Sequence, residues 1–143
     1  MKIHKTIFML MLSMNAYAIE FTVSEGGYNA SVKSPAECFD VGDNIVRNTC
    51  IAYFQDQSSK QLEETLESMK KRVARDSSLL NEAQKNWASF KASECKLESI
   101  SGQAYRDPET QTSLLYEACS AEMNIKRVEQ LKSIKLGCDS CIQ

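Results

Sequence analysis

The segment LLNEAQKNWASFKASEC, residues 79–95, decides the fold. Leu80, Ala83, Trp87 and Phe90 are spaced 3, 4 and 3 residues apart, so they fall on one stripe of a helix that runs up to Cys95. An apolar helical stripe ending at a cysteine, in a chain of 143 residues with six cysteines, predicts a stapled helical scaffold built for an oxidising compartment.

The N-terminus agrees with export. Lys2, His4 and Lys5 precede an apolar run from Ile7 to Met14 and then Ala16-Tyr17-Ala18, the small-x-small pattern cut by signal peptidase. Residues 1–18 are therefore expected to be a signal peptide. The run is far short of the ~20 residues of a spanning helix, and position 19 is not a lipidatable cysteine. A periplasmic or secreted protein without a membrane anchor is expected. His4, the only histidine, leaves with the signal, which excludes His-dependent triads and dyads. Loss of Lys2 and Lys5 leaves 15 basic against 19 acidic side chains, a mildly acidic balance that argues against nucleic acid.

The rest reads as an irregular N-terminal arm (19–37), a helical domain (38–134) and a tail (135–143). The arm holds Gly26-Gly27 and Pro35, with a short strand expected at Glu20–Ser24. From about Asp43, Ile45, Thr49, Ala52 and Tyr53 repeat at helical spacing, and Leu62, Leu66, Met69 and Val73 form a second stripe. Between them Asp56–Ser59 is polar, and Ser58 with Gln61 has capping-box spacing, so this first helix is expected to be kinked or split there. A second helix starts under a Ser77 or Ser78 cap and reaches Leu97. A polar loop, Glu98–Asp107, follows. Asp107-Pro108-Glu109 opens a third helix, since Asp caps, Pro suits the first helical position and Glu complements the dipole. Leu114, Leu115, Ala118, Cys119, Ile125, Val128 and Leu131 supply its inner face, and Lys135-Leu136-Gly137 stops it. The fold class is all-α, a small disulfide-stapled bundle of three main helices.

Six cysteines allow fifteen pairings. If the first two helices run antiparallel, Cys38 lies near Cys95 and Cys50 can face Cys119, so these pairs are expected over the swapped partners. Cys138 and Cys141 form a CxxC. Thiol exchange would want it at a helix N-terminus, and zinc would want two further soft ligands. A local tail disulfide is the simpler reading, with redox, metal and intermolecular roles as alternatives. Trp87 on an apolar stripe is expected in the core. Glu67 with Lys71 and Arg72 with Asp76 have the four-residue spacing of helix ion pairs, and Lys70-Lys71-Arg72 reads as a solvated face. No catalytic set, metal set or cofactor motif stands out, and no acidic pair is distinguished from ordinary helix surface. In the expected loop, Glu98, Tyr105, Arg106 and Asp107 are candidate partner contacts, because Tyr and Arg anchor interfaces.

The pattern LxxAQxxWxxFxxxxC, with Leu80, Gln84, Trp87, Phe90 and Cys95, followed by Ser101-Gly102 and by Cys119, Met123, Arg127 and Leu131 at four-residue steps, resembles the lysozyme inhibitor LprI N-terminal domain. The resemblance covers about residues 38–133. It departs at Leu62-Glu63-Glu64-Thr65-Leu66, where the family often shows Leu-Asn-x-x-Tyr. It implies an all-helical exported protein that binds a lysozyme and blocks its cleft without catalysis. A periplasmic immunity protein that neutralises a toxin enzyme is the alternative, and a thiol-disulfide protein using the CxxC a second one.

Overall fold

The computed structural model describes residues 18–25, 28–73, 76–104 and 106–135. Residues 1–17, on which the expected signal peptide falls, Tyr105 and the tail with Cys138 and Cys141 lie outside them. The elements run in the order β1 (Phe21–Glu25), β2 (Tyr28–Val32), a 3-10 turn (Ala36–Asp40), α1 (Asn44–Arg72), α2 (Ser77–Ser99), a second 3-10 turn (Ile100–Ala104) and α3 (Pro108–Ser133).

The arm is more ordered than its composition suggests. The strand expected at Glu20–Ser24 is present, shifted by one residue, and it pairs antiparallel with a second strand, Phe21 opposite Val32 and Val23 opposite Ala30. Alternation turns Val23 and Val32 inward together, which gives the hairpin a buried face.

Gly42, at φ +62°, turns the chain into α1, and a side chain there would meet Val46 Cβ at 2.6 Å. Asp43 then caps the helix, its carboxylate accepting from the Ile45 and Val46 amides at 2.8 and 3.0 Å. α1 continues unbroken for 29 residues, so the break expected at Asp56–Ser59 is absent. Ser58 caps nothing there; it is buried, and its hydroxyl donates to the Gln55 carbonyl inside the helix. The inward face also differs from the expected one in its first half. Cys50, Ile51 and Phe54 are buried, whereas Ile45, Thr49, Ala52 and Tyr53 face solvent. Both stripes have helical period, and the disulfide and the hairpin select which one turns in. The second stripe packs as expected, with Leu62 and Met69 buried and Leu66 and Val73 against them.

α2 begins after Asp76, and no side-chain hydrogen bond caps it, so neither Ser77 nor Ser78 plays the expected part. The expected polar loop is instead helical up to Ser99 and a 3-10 turn beyond it. That turn presses on α3 so closely that a Cβ on Gly102 would stand 2.7 Å from the Thr112 backbone. α3 opens as expected, with Pro108 in the first turn and Asp107 accepting from the Thr110 amide at 3.4 Å. On its inner face Ala118, Cys119, Val128 and Leu131 are buried, while Leu114, Leu115 and Ile125 are half-buried.

Cross-contacts give the helix directions. Gln55 meets Ser120 and Ser58 meets Asn124, so α1 and α3 are parallel; Cys95 meets Cys119 and Gln84 meets Arg127, so α2 is antiparallel to α3. One apolar cluster gathers the hairpin, Cys38, Cys50, Ile51, Phe54 and Ala121; another gathers Leu62, Met69, Leu80, Val128 and Leu131.

The disulfides correct the expected pairing. Cys38 bridges Cys50 and Cys95 bridges Cys119, with Cα separations of 5.7 and 5.4 Å, in place of Cys38–Cys95 and Cys50–Cys119. The 3-10 turn folds back on the start of α1, and α2 and α3 form a helical hairpin, so each of these bridges joins two cysteines that are consecutive in sequence. The expected i,i+4 ion pairs also shift. Glu67 pairs with Lys70 at 2.6 Å, and Asp76 lies beyond the end of the helix that carries Arg72.

Candidate functional site

Between the two apolar clusters all three helices contribute a polar layer. Asn124 on α3, only 1 % exposed, is its hub. Its amide donates to the Ser58 and Ser59 hydroxyls of α1 at 3.3 and 3.2 Å, and its Oδ1 accepts from Lys91 Nζ of α2 at 2.9 Å. Next to it Arg127, buried, donates from Nε to Gln84 Oε1 at 3.2 Å and from Nη1 to Gln130 Oε1 at 2.6 Å.

Trp87, half-buried, packs beside this layer with both cations against its ring, Lys91 Nζ at 5.1 Å and Arg127 Cζ at 5.5 Å from the centroid. Burial holds both cations below their ordinary pKa values. Among the described residues neither forms an ion pair with a carboxylate; amide oxygens and an indole face take that role. Such a layer has a geometric task, because each polar group it buries is satisfied only when the three helices stand in one register. It contains no nucleophile coupled to a base. Among the described residues no group of three or more His, Cys, Asp or Glu is placed to hold a metal ion.

The residues of the sequence motif separate in space. Leu80, Arg127 and Leu131 are buried, and Gln84 and Trp87 lie half-buried in or beside the polar layer. Phe90 does not join the core expected of it; it is exposed, as is Ala83. A helix face packed on one partner needs residues 80, 84, 87, 91 and 95, and Phe90 lies to one side of that line. Lys91, Asn124 and Ser58 were missed. Their signal was present as polar residues at inward helical spacing, 84-87-91 and 120-124-127.

The candidate partner contacts cluster at one end of the bundle. Glu98 is exposed on the last turn of α2 and lines a notch of about 350 Å³ with Phe39, Leu115, Ala118 and Glu122. Arg106 is exposed, and the Asp107 carboxylate serves the third helix as its cap. Tyr105 lies outside the described residues.

Taken together, these features define a small cross-linked helical bundle whose interior polar layer fixes the register of its three helices. The chain belongs to the lysozyme inhibitor LprI family, whose model matches residues 40–131. That span takes in α1, α2 and nearly all of α3, and it ends before Cys138, so the thiol-exchange alternative draws no support from it. Searches of curated proteins and of solved structures returned no match. Among the described residues no helix is long and apolar enough to cross a membrane.

Proposed function

We propose that this protein is an exported, non-catalytic inhibitor that seats on a lysozyme and occludes its substrate cleft. The observation that carries this reading is the family match over residues 40–131. The physics is consistent with it. Occlusion needs a surface of about 800 Å² per partner and a few anchors, with no reactive group. Two disulfides and a satisfied polar layer remove ordering cost from binding. The acidic balance of the processed chain suits a cationic target and favours fast encounter.

The contact surface in this proposal is the end that carries Glu98, Arg106 and Asp107, next to the notch at Phe39 and Leu115. The chain reaches the periplasm or the medium after cleavage near Ala18. The test is titration of the oxidised, processed protein into lysis assays with animal-type, goose-type and invertebrate-type lysozymes. Inhibition of at least one class near stoichiometry is expected, and Glu98→Lys should raise the half-inhibitory concentration about tenfold. Lysis untouched at large molar excess for every class refutes the proposal.

A further inference from the structure

One helix face in this fold has no neighbour among the described residues. Along α2 and into the turn that follows, Leu79, Ala83, Phe90, Leu97 and Ile100 lie on a single stripe, with Asn86 and Ser93 filling the intervening turns. The intervals are 4, 3, 4, 3, 4 and 3 residues, the spacing of a two-helix seam. Ile100 keeps helical backbone, φ −55° and ψ −33°, so the stripe does not stop at the helix end. Leu79, Phe90, Leu97 and Ile100 are 66, 55, 63 and 52 % exposed, half of the large exposed apolar side chains among the described residues. The stripe is turned about a third of a revolution from the Leu80, Trp87 and Cys95 face that packs inward.

We propose that α2 pairs antiparallel with α2 of a second copy of this chain, with the two-fold axis passing at Phe90. The order of residues in the stripe identifies the occupant, because the stripe complements its own reversal. Antiparallel pairing sets Leu79 opposite Ile100 of the other copy, Ala83 opposite Leu97, Asn86 opposite Ser93, and Phe90 opposite Phe90. Apolar side chains meet apolar ones at every level but one, and there the two polar positions meet each other.

Charge along the free edge agrees. Glu82 and Lys96 flank the stripe on its outer side, both exposed and without an ion partner among the described residues. They stand two heptads apart, so reversal puts each against its opposite in the other copy, twice per dimer. A parallel pair would instead set them against the edge that carries Leu80 and Trp87, which is taken up by packing within the bundle.

Sedimentation equilibrium of the oxidised, processed protein from micromolar to sub-millimolar concentration tests this. The expected result is a reversible approach to twice the chain mass. Phe90→Glu should abolish association while the helical circular dichroism stays unchanged, since Phe90 is not in the core. Glu82→Lys should weaken association about tenfold by facing Lys with Lys, and Glu82→Lys with Lys96→Glu should restore it. Mass of a single chain at every concentration overturns the proposal. So does a dimer indifferent to Phe90→Glu, or one that Glu82→Lys weakens and the double exchange does not restore. The inference does not rest on the lysozyme reading, because association is read without any target enzyme.

Discussion

The guanidinium of Arg127 stands 5.5 Å from the centre of the Trp87 ring and at the same time donates to Gln84 on the helix that carries that tryptophan. One α3 side chain thus fixes both the height and the rotation of α2. Replacing the ring by alanine removes apolar contact and the face that receives two cations. Trp87→Ala should lower unfolding stability by about 2 to 3 kcal/mol, and Trp87→Phe by about 1 kcal/mol, since a smaller ring keeps part of both. Urea unfolding followed by circular dichroism checks this, because the only tryptophan is the residue removed.

Asn124 on α3 is hydrogen-bonded to both other helices, to α1 through Ser58 and Ser59 and to α2 through Lys91. Asn124→Ala should cost about 2 to 3 kcal/mol, because it takes the acceptor from the half-buried Lys91 ammonium, removes a donor from the buried Ser58 hydroxyl and leaves a void. Asn124→Asp should cost less, since a carboxylate still accepts from Lys91. Reversal of that order in urea melts would refute the assignment.

Lys91 gives a pH signature. Burial lowers its folded-state pKa below the usual 10.5, so between the two values the unfolded chain binds the extra proton. Stability should therefore rise with pH through that alkaline window, where the folded ammonium gives up its charge, and the rise should vanish in Lys91→Met. Urea midpoints of the oxidised protein at a series of alkaline pH values measure it.

Peptide mapping under non-reducing conditions should recover the fragments around residues 38 and 50 joined, and those around 95 and 119 joined. A cross-linked 38–95 fragment would contradict the fold. Loops of 12 and 24 residues make each bridge worth about 3 kcal/mol on the chain-entropy model, so either double Cys→Ser variant should unfold at clearly lower urea.

Gly102→Ala should displace the turn from α3, since its Cβ meets main-chain atoms of Thr112 at 2.7 Å. We expect a loss of about 1 to 3 kcal/mol and weaker lysozyme inhibition, because the Glu98–Asp107 end moves with the turn.

The three helices were legible because their stripes are long and α3 carries its own start signal, Asp107-Pro108. The register between them was less so. The first half of α1 offers two helical stripes, and the fold-back of Cys38 onto Cys50 together with the packed hairpin decides between them. The unbroken course of α1 was hidden because polar Ser58 and Ser59 look like a boundary, when they face the amide of Asn124. The second strand of the hairpin was missed because its residues, Tyr28 to Val32, are mostly small and polar and gain apolar neighbours only through tertiary packing, starting with Phe21 and Val23 of the first strand. The polar layer escaped since Lys91 and Asn124 are ordinary surface residue types; only inward helical spacing marks them.

Both described bridges join cysteines that follow one another in the chain. A polypeptide threaded across a membrane N-terminus first would present them in that order. An oxidant that couples each thiol to the next one to emerge reaches the native set directly, with no wrong bond to undo. For a chain exported in that direction, staples that never cross would make emergence and correct oxidation a single event.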